Sequence, residues 1–198
     1  MRSLFSSSAL IGCVCAWMSI GCQPAESVGV AAGAQGAKSQ VTHAIAVLQP
    51  TEGNKAKGTV TFEALAGNKV KVTARVEGLE PNSRHGFHIH EFGDISSANG
   101  TAAGDHYNPE GHMHALPETG ARHAGDLGNL EANEEGIAQY EITVENITLA
   151  GAKNPIVGRG LIVHAKPDDG GQPTGNAGPR IAQAVIGVAK APKPAESE

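Results

Sequence analysis

Seven of the chain's nine histidines lie between His85 and Asp126. They stand in His85-Gly-Phe-His88-Ile-His90, in Gly104-Asp-His106-Tyr-Asn-Pro, in His112-Met-His114 and in Arg122-His123-Ala-Gly-Asp126. Of the other two, His164 closes the apolar run Leu161-Ile-Val and His43 stands alone before the first strand signal. Along an extended strand, residues i and i+2 face the same way, so His88 and His90 can reach one metal ion while Phe87 and Ile89 face the opposite side. A His-x-His pair by itself is equally compatible with two half-exposed strand histidines. The residues that follow tip the balance, because His106, His114, His123 and Asp126 come in a Gly- and Pro-rich stretch with little apolar periodicity. Three imidazoles and one carboxylate make a closed tetrahedral zinc set.

The elements that must position these side chains read as short strands. Ala44–Leu48 is apolar, Gly58–Phe62 alternates, and Val70, Val72, Ala74 and Val76 alternate with Lys69, Lys71, Thr73 and Arg75 as a half-buried strand does. His85–Glu91, Asp126–Ala132, residues 137–144, Gly160–His164 and Ile181–Val188 bring the number to about eight. Gly53-Asn54, Gly67-Asn68 and Asn133-Glu-Glu-Gly136 supply turns, and no amphipathic helix of useful length is present. The span from Phe92 to Gly125 is too long for a plain connection. Metal coordination would explain how such a loop is ordered. The expected fold is all-β, an eight-stranded Greek-key β-sandwich or flattened barrel with long metal-binding loops.

The 198 residues, 40% hydrophobic with 26 glycines and 11 prolines, suit one such domain with extensions. Residues 1–22 carry one charge, Arg2, then an apolar run ending in small residues, and read as an export signal. Ser19-Ile-Gly-Cys22 resembles a bacterial lipobox, which marks Cys22 for lipidation; Leu10-Ile-Gly-Cys13 matches locally but leaves too short a segment before it. An exported chain held at the cell envelope, periplasmic or membrane-anchored as a lipoprotein, is the expectation. Membrane contact would then run only through the lipid or the N-terminal segment. Residues 23–42 read as a flexible tether, 43–190 as the domain and 191–198 as a disordered tail. A formal charge of −5 argues against nucleic acid as a partner. The sequons Asn99-Gly-Thr101 and Asn146-Ile-Thr148 are incidental on this export route.

Five segments, in order, carry a resemblance. Gly86-Phe-His88-Ile-His90-Glu-Phe-Gly-Asp94, His106-Tyr-Asn-Pro109, His123-Ala-Gly-Asp126-Leu-Gly-Asn129, Gly158-Arg-Gly-Leu-Ile-Val-His164 and Gly175-Asn-Ala-Gly-Pro-Arg180 look like the signatures of copper/zinc superoxide dismutases. The similarity runs from about Ala44 to Ala189. It implies dismutation of superoxide to oxygen and hydrogen peroxide, an antioxidant role, with copper and zinc as cofactors. The implied copper ligands are His88, His90, His106 and His164; the implied zinc ligands are His106, His114, His123 and Asp126. His106 would bridge, an arrangement open to an imidazole that loses both N–H protons between two cations. The residues alone leave His112 and His114 both open, and the family's spacing selects His114.

The resemblance also implies that Arg180 attracts the anion beside the copper, so that Arg180 and His106 are the catalytic pair. Asp168 would link a copper-bound to a zinc-bound histidine, and His85 would be a structural histidine near the metals. Dimers are common among such proteins, which leaves a homodimer open, and no residue of the sequence marks an interface. Two departures stand out. All three cysteines, Cys13, Cys15 and Cys22, fall in the leader, so the family's bridge from the loop after the His-x-His strand to the last strand is missing; its places look like Asn99 or Gly100 and Gln183. The segment Asp169-Gly-Gly-Gln-Pro-Thr-Gly175 is short and lacks the family's Lys/Glu cluster, which should weaken electrostatic steering. A metal-buffering protein with the same ligands would need neither the bridge nor Arg180, and a cupin would need strands where residues 92–105 are polar.

Overall fold

The computed structural model describes residues 41–192. The leader, Cys22, most of the tether and the last six residues of the tail lie outside the described residues. Nine strands follow one another: β1 (His43–Pro50), β2 (Lys57–Leu65), β3 (Lys69–Glu77), β4 (Arg84–His90), β5 (Asp126–Glu131), β6 (Ala138–Val144), β7 (Gly160–His164), β8 (Arg180–Val185) and β9 (Gly187–Val188). The only helical element among the described residues is a single 3₁₀ turn, Thr101–Ala103.

Alternation decides which way each strand faces. In β3, Val70, Val72, Ala74 and Val76 are buried, while Lys69, Lys71 and Arg75 point outward and pair with Glu145, Glu141 and Glu77. β1 follows the same rule although its sequence is almost wholly apolar: Ala44, Ala46 and Leu48 are buried while Val47 is 58% exposed. The strand order is β5-β4-β7-β8-β1-β2-β3-β6, with every pairing antiparallel. β5 and β6, at the two ends of that order, are joined by the hairpin at Asn133–Gly136, where Asn133 Oδ1 accepts the N–H groups of Glu135 and Ile137. The sheet therefore curls into a nearly closed eight-stranded Greek-key barrel around Phe62, Phe87, Ile89, Leu127, Leu130 and Leu161.

The expected last strand, Ile181–Val188, is broken at Ile186. Its N–H and C=O turn to Arg159 and Gly158, after which β9 pairs with the start of β1.

β4 is buried on both faces. Phe87 and Ile89 fill the barrel, and the opposite face, with His88 and His90, lies under the loops of residues 91–125 and 165–179.

Candidate metal centre

Three backbone hydrogen bonds fasten the two ends of the long loop to β4 and to each other. Tyr107 N–H donates to Ile89 O, Ile89 N–H to Gly125 O and Gly125 N–H to Tyr107 O, each at 2.9 Å. Gly125 must be glycine for this, because a Cβ there would lie 2.1 Å from Ile89 O. The triangle sets His106 beside His90 and starts β5 at Asp126 opposite His88. β7 pairs with the other edge of β4 and delivers His164.

Two groups of donor atoms result. One atom each from His88, His90, His106 and His164 lie within 4.8 Å of one another, and so do those of His106, His114, His123 and Asp126. All seven side chains are buried, and His106 belongs to both groups.

Hydrogen bonds settle which nitrogen each ring offers. His88 Nε2–H donates to Asp168 Oδ2 at 2.8 Å and His114 Nε2–H to Asp168 Oδ1 at 2.9 Å. His90 Nδ1–H donates to Gly104 O at 3.0 Å and His164 Nδ1–H to Gly178 O at 2.9 Å, which leaves their Nε2 atoms facing each other at 3.4 Å. His106 turns Nδ1 to Asp126 Oδ1 at 3.0 Å, 3.5 Å from His123 Nδ1, leaving Nε2 for the other group. Among the described residues the buried Nδ1 of His88 has no hydrogen-bond partner, and that of His114 faces Asp126 Oδ2 at 3.0 Å. A buried nitrogen without a partner is costly, and donor atoms converging at this spacing fit a cation.

Electrostatics agree. Burial lowers the basicity of His88, to a pKa of about 4, despite Asp168 beside it. It lowers His164 to about 3, helped by His88, His106 and Arg180, and holds His90 well below the ordinary range. These rings stay neutral at pH 7, the form that ligates a metal. Burial also pushes His114 down, but Asp126 and Asp168 on its two sides outweigh it and raise its pKa to about 9. Both carboxylates are held well below the usual carboxylate range by those imidazole hydrogen bonds, against the opposing effect of burial. Without a cation, the second group thus carries a proton that an incoming metal would displace.

Arg180, at the start of β8, donates from Nη1 to Gly100 O at 2.5 Å and from Nη2 to Gly104 O at 2.6 Å. It is near enough to His90 and His164 to lower their basicity.

The family described as copper/zinc superoxide dismutase (SODC) matches residues 56–186. The chain belongs to the copper/zinc superoxide dismutase family. A Brassica juncea protein named superoxide dismutase [Cu-Zn] 2 is 45% identical over 151 residues, 73% of this chain and 96% of that protein. Superoxide dismutase [Cu-Zn] of Paramecium bursaria Chlorella virus 1 is 45% identical over 157 residues, 76% and 82% of the two chains. Among solved structures, the clock protein EA4 superposes with a TM-score of 0.70 at 38% identity, covering 76% of this chain and 97% of the other. This dismutase is therefore an oxidoreductase of a family that uses copper and zinc. Its two donor groups suit those metals: an all-imidazole set is suited to copper, and three imidazoles with a carboxylate to zinc.

Every candidate residue of the two ligand sets is brought together. His114 joins the second group, whereas His112 is exposed, 3.7 Å from Glu110. His85 bonds to its neighbours and not to a metal group: Nδ1–H donates to His164 O at 2.8 Å, and Nε2 meets Ser83 Oγ at 2.7 Å. His43 begins β1, 3.0 Å from Thr42 Oγ1.

Three supporting residues carry no motif of their own. Asn129 clasps Asp168 through Nδ2 to its C=O, at 2.9 Å, and through Oδ1 from its N–H, at 2.7 Å. Gln172 brackets the backbone of His114 in the same way. Gly175, with φ of 75°, leaves room for Asp168, since a Cβ there would lie 2.0 Å from Oδ1. Asn129 and Gly175 sat inside matched segments and could have been singled out. Gln172 gave no signal.

Proposed function

We propose that dismutation in this chain runs at a copper held by His88, His90, His106 and His164 and joined through His106 to a zinc held by His106, His114, His123 and Asp126. The observation that carries the reading is the membership of His106 in both donor groups, one nitrogen toward each. When bound, copper supplies one-electron exchange with superoxide, and zinc supplies a fixed positive charge.

The chain's residues do the rest. Arg180 draws the anion in, because a guanidinium stays charged and offers forked donors. His106 Nε2 takes a proton in one half of the cycle and gives it to the developing peroxide in the other. With a second proton from solvent water, two superoxide ions and two protons become one oxygen and one hydrogen peroxide. Asp168 keeps the rings of His88 and His114 turned with Nδ1 inward, and His85 steadies the backbone at His164.

The place of action is the cell envelope. What supports this is the apolar leader and the Ser19-Ile-Gly-Cys22 segment, with Cys22 as the lipidated residue; the remainder up to β1 would be the tether. A homodimer is supported by exposed apolar side chains on β1, β8, β9 and the segment after β4: Val47, Val185, Val188 and Phe92.

The test is superoxide decay with the purified protein loaded with copper and zinc, beside a His164→Ala control. A fast copper-dependent rate that disappears in the control is expected. A negligible rate with both metals bound would leave a metal-buffering protein on a dismutase scaffold.

A further inference from the structure

We infer that Gln183 is a positioning residue that holds Arg180 in place through the loop of residues 97–104, an assignment that rests on the dismutation reading above. Residues 23–198 contain no cysteine, so nothing covalent ties this loop to β8. Gln183 stands on β8, is only 6% exposed, and donates from Nε2 to Ser97 O at 3.2 Å. It therefore joins β8 to a loop 86 residues earlier in the chain.

Ser97 is the hub of that loop. Its C=O also accepts Gly100 N–H at 3.1 Å, and its Oγ accepts Ala102 N–H at 2.8 Å. The turn so formed presents Gly100 O and Gly104 O to the two ends of the Arg180 guanidinium. The main chain of Arg180 is fixed separately, by Thr51 Oγ1–H donating to Arg180 O at 2.7 Å. A second anchor of the loop, Glu52 N–H to Ala98 O at 2.8 Å, is pure backbone. Besides Arg180 itself, Gln183 is thus the β8 side chain that couples the loop to the strand carrying the arginine.

The choice of an amide supports a role beyond packing. Among the described residues no group bonds to Gln183 Oε1, so the acceptor end of this buried amide is unused. A position that served packing alone would be better filled by an apolar side chain of similar volume. What Gln183 adds is the donor aimed at Ser97. If that tie is lost, the Ser97 turn loosens and the Gly100 carbonyl drifts from the guanidinium, while Gly104 O stays held by His90 Nδ1–H. The zinc group shares no residue with the loop.

The test uses the full chain loaded with zinc, with Gln183→Leu and Gln183→Asn, the second keeping an amide that is too short to reach Ser97. Amide exchange by NMR and the Arg180 guanidinium resonances are compared with wild type. Exchange at Gly100 and Ala102 should accelerate by roughly tenfold or more while Val72 in β3 stays protected, because only the loop opens. The separate Arg180 Nη signals should merge, zinc content should hold, and with copper added kcat/KM should fall while kcat is retained. Unchanged Gly100 and Ala102 protection and unchanged Arg180 signals in both variants would overturn the assignment, as would equal loss of protection in β3. A wild-type protein without dismutase activity would count against the dismutation reading alone, and the exchange data would still judge the tie.

Discussion

Replacing Asp168 with Asn should separate the two metal groups. In the wild type, a single carboxylate accepts His88 Nε2–H at Oδ2 and His114 Nε2–H at Oδ1, and Oδ1 accepts Gly170 N–H as well, at 2.9 Å. An amide has only one oxygen. Two donors already converge on the Oδ1 position, so the Asn oxygen belongs there, which turns its NH₂ toward His88. Donor would then face donor, and His88 must rotate or move its proton to Nδ1, the nitrogen otherwise free for metal. Disturbing such a supporting hydrogen bond costs about 10–100-fold in metal affinity, or about 1.4–2.7 kcal/mol.

That loss should fall on copper. Zinc should lose little, because His114 keeps its acceptor, and removing one of its two carboxylates lowers the proton affinity against which zinc competes. The assay is competition of each metal, separately, between the metal-free variant and a chromophoric chelator at pH 7. A zinc loss as large as the copper loss, or less than about threefold change in both, would refute the reasoning about Oδ1 and Oδ2.

Arg180→Ala should keep both metals and lower kcat/KM by roughly tenfold or more, since charge at a cleft raises association of a small anion by about 10–10³; unchanged kinetics at low superoxide would count against its role. The metal-free protein should be most stable near pH 6.5. Below that, the unfolded chain protonates His88, His90 and His164 while the fold keeps them neutral, so stability falls with pH by up to about 1.4 kcal/mol per unit for each ring. Above it, the fold holds a proton on His114 that the unfolded chain has lost, and this contribution disappears as pH rises through about 9. Urea unfolding of the metal-free protein at pH 5, 6.5 and 9 checks both limbs, and a monotonic trend would contradict the assignment. Gly175→Ala should weaken zinc binding and lower Tm, because its Cβ would meet Asp168 Oδ1 at 2.0 Å and His114 Nε2 at 2.7 Å; wild-type zinc affinity would show that the Asp168 loop yields freely.

Local chemistry made much of the barrel legible. β3 could be read because alternation of Val70, Val72, Ala74 and Val76 with charged neighbours is a property of nine consecutive residues. His88 and His90 could be paired for the same reason, since the pleat alone puts them on one side and Phe87 and Ile89 on the other. The Asn133–Gly136 turn rests on four residues and needed nothing more. The break at Ile186 was not legible, because it follows from bonds to Gly158 and Arg159, nearly thirty residues away, and not from its own neighbours.

In the metal centre the division runs between residue type and place. Sequence by itself supplied an excess of imidazole in a loop with no periodicity, together with the order of motifs that resembles a family. It could not choose between His112 and His114 from the residues themselves, because both lie in a stretch with no repeating geometry. Tertiary structure decided that choice by folding the loop back so that Asp126 and Asp168 flank His114 while His112 stays near Glu110 at the surface. It alone paired Asn129 with Asp168, Gln172 with His114 and Gln183 with Ser97. Each of these contacts joins residues about 40 to 90 positions apart in the chain. No local rule of spacing reaches so far, and only the pairing of β4 with β5 and β7, and of β8 with β1, brings their loops together.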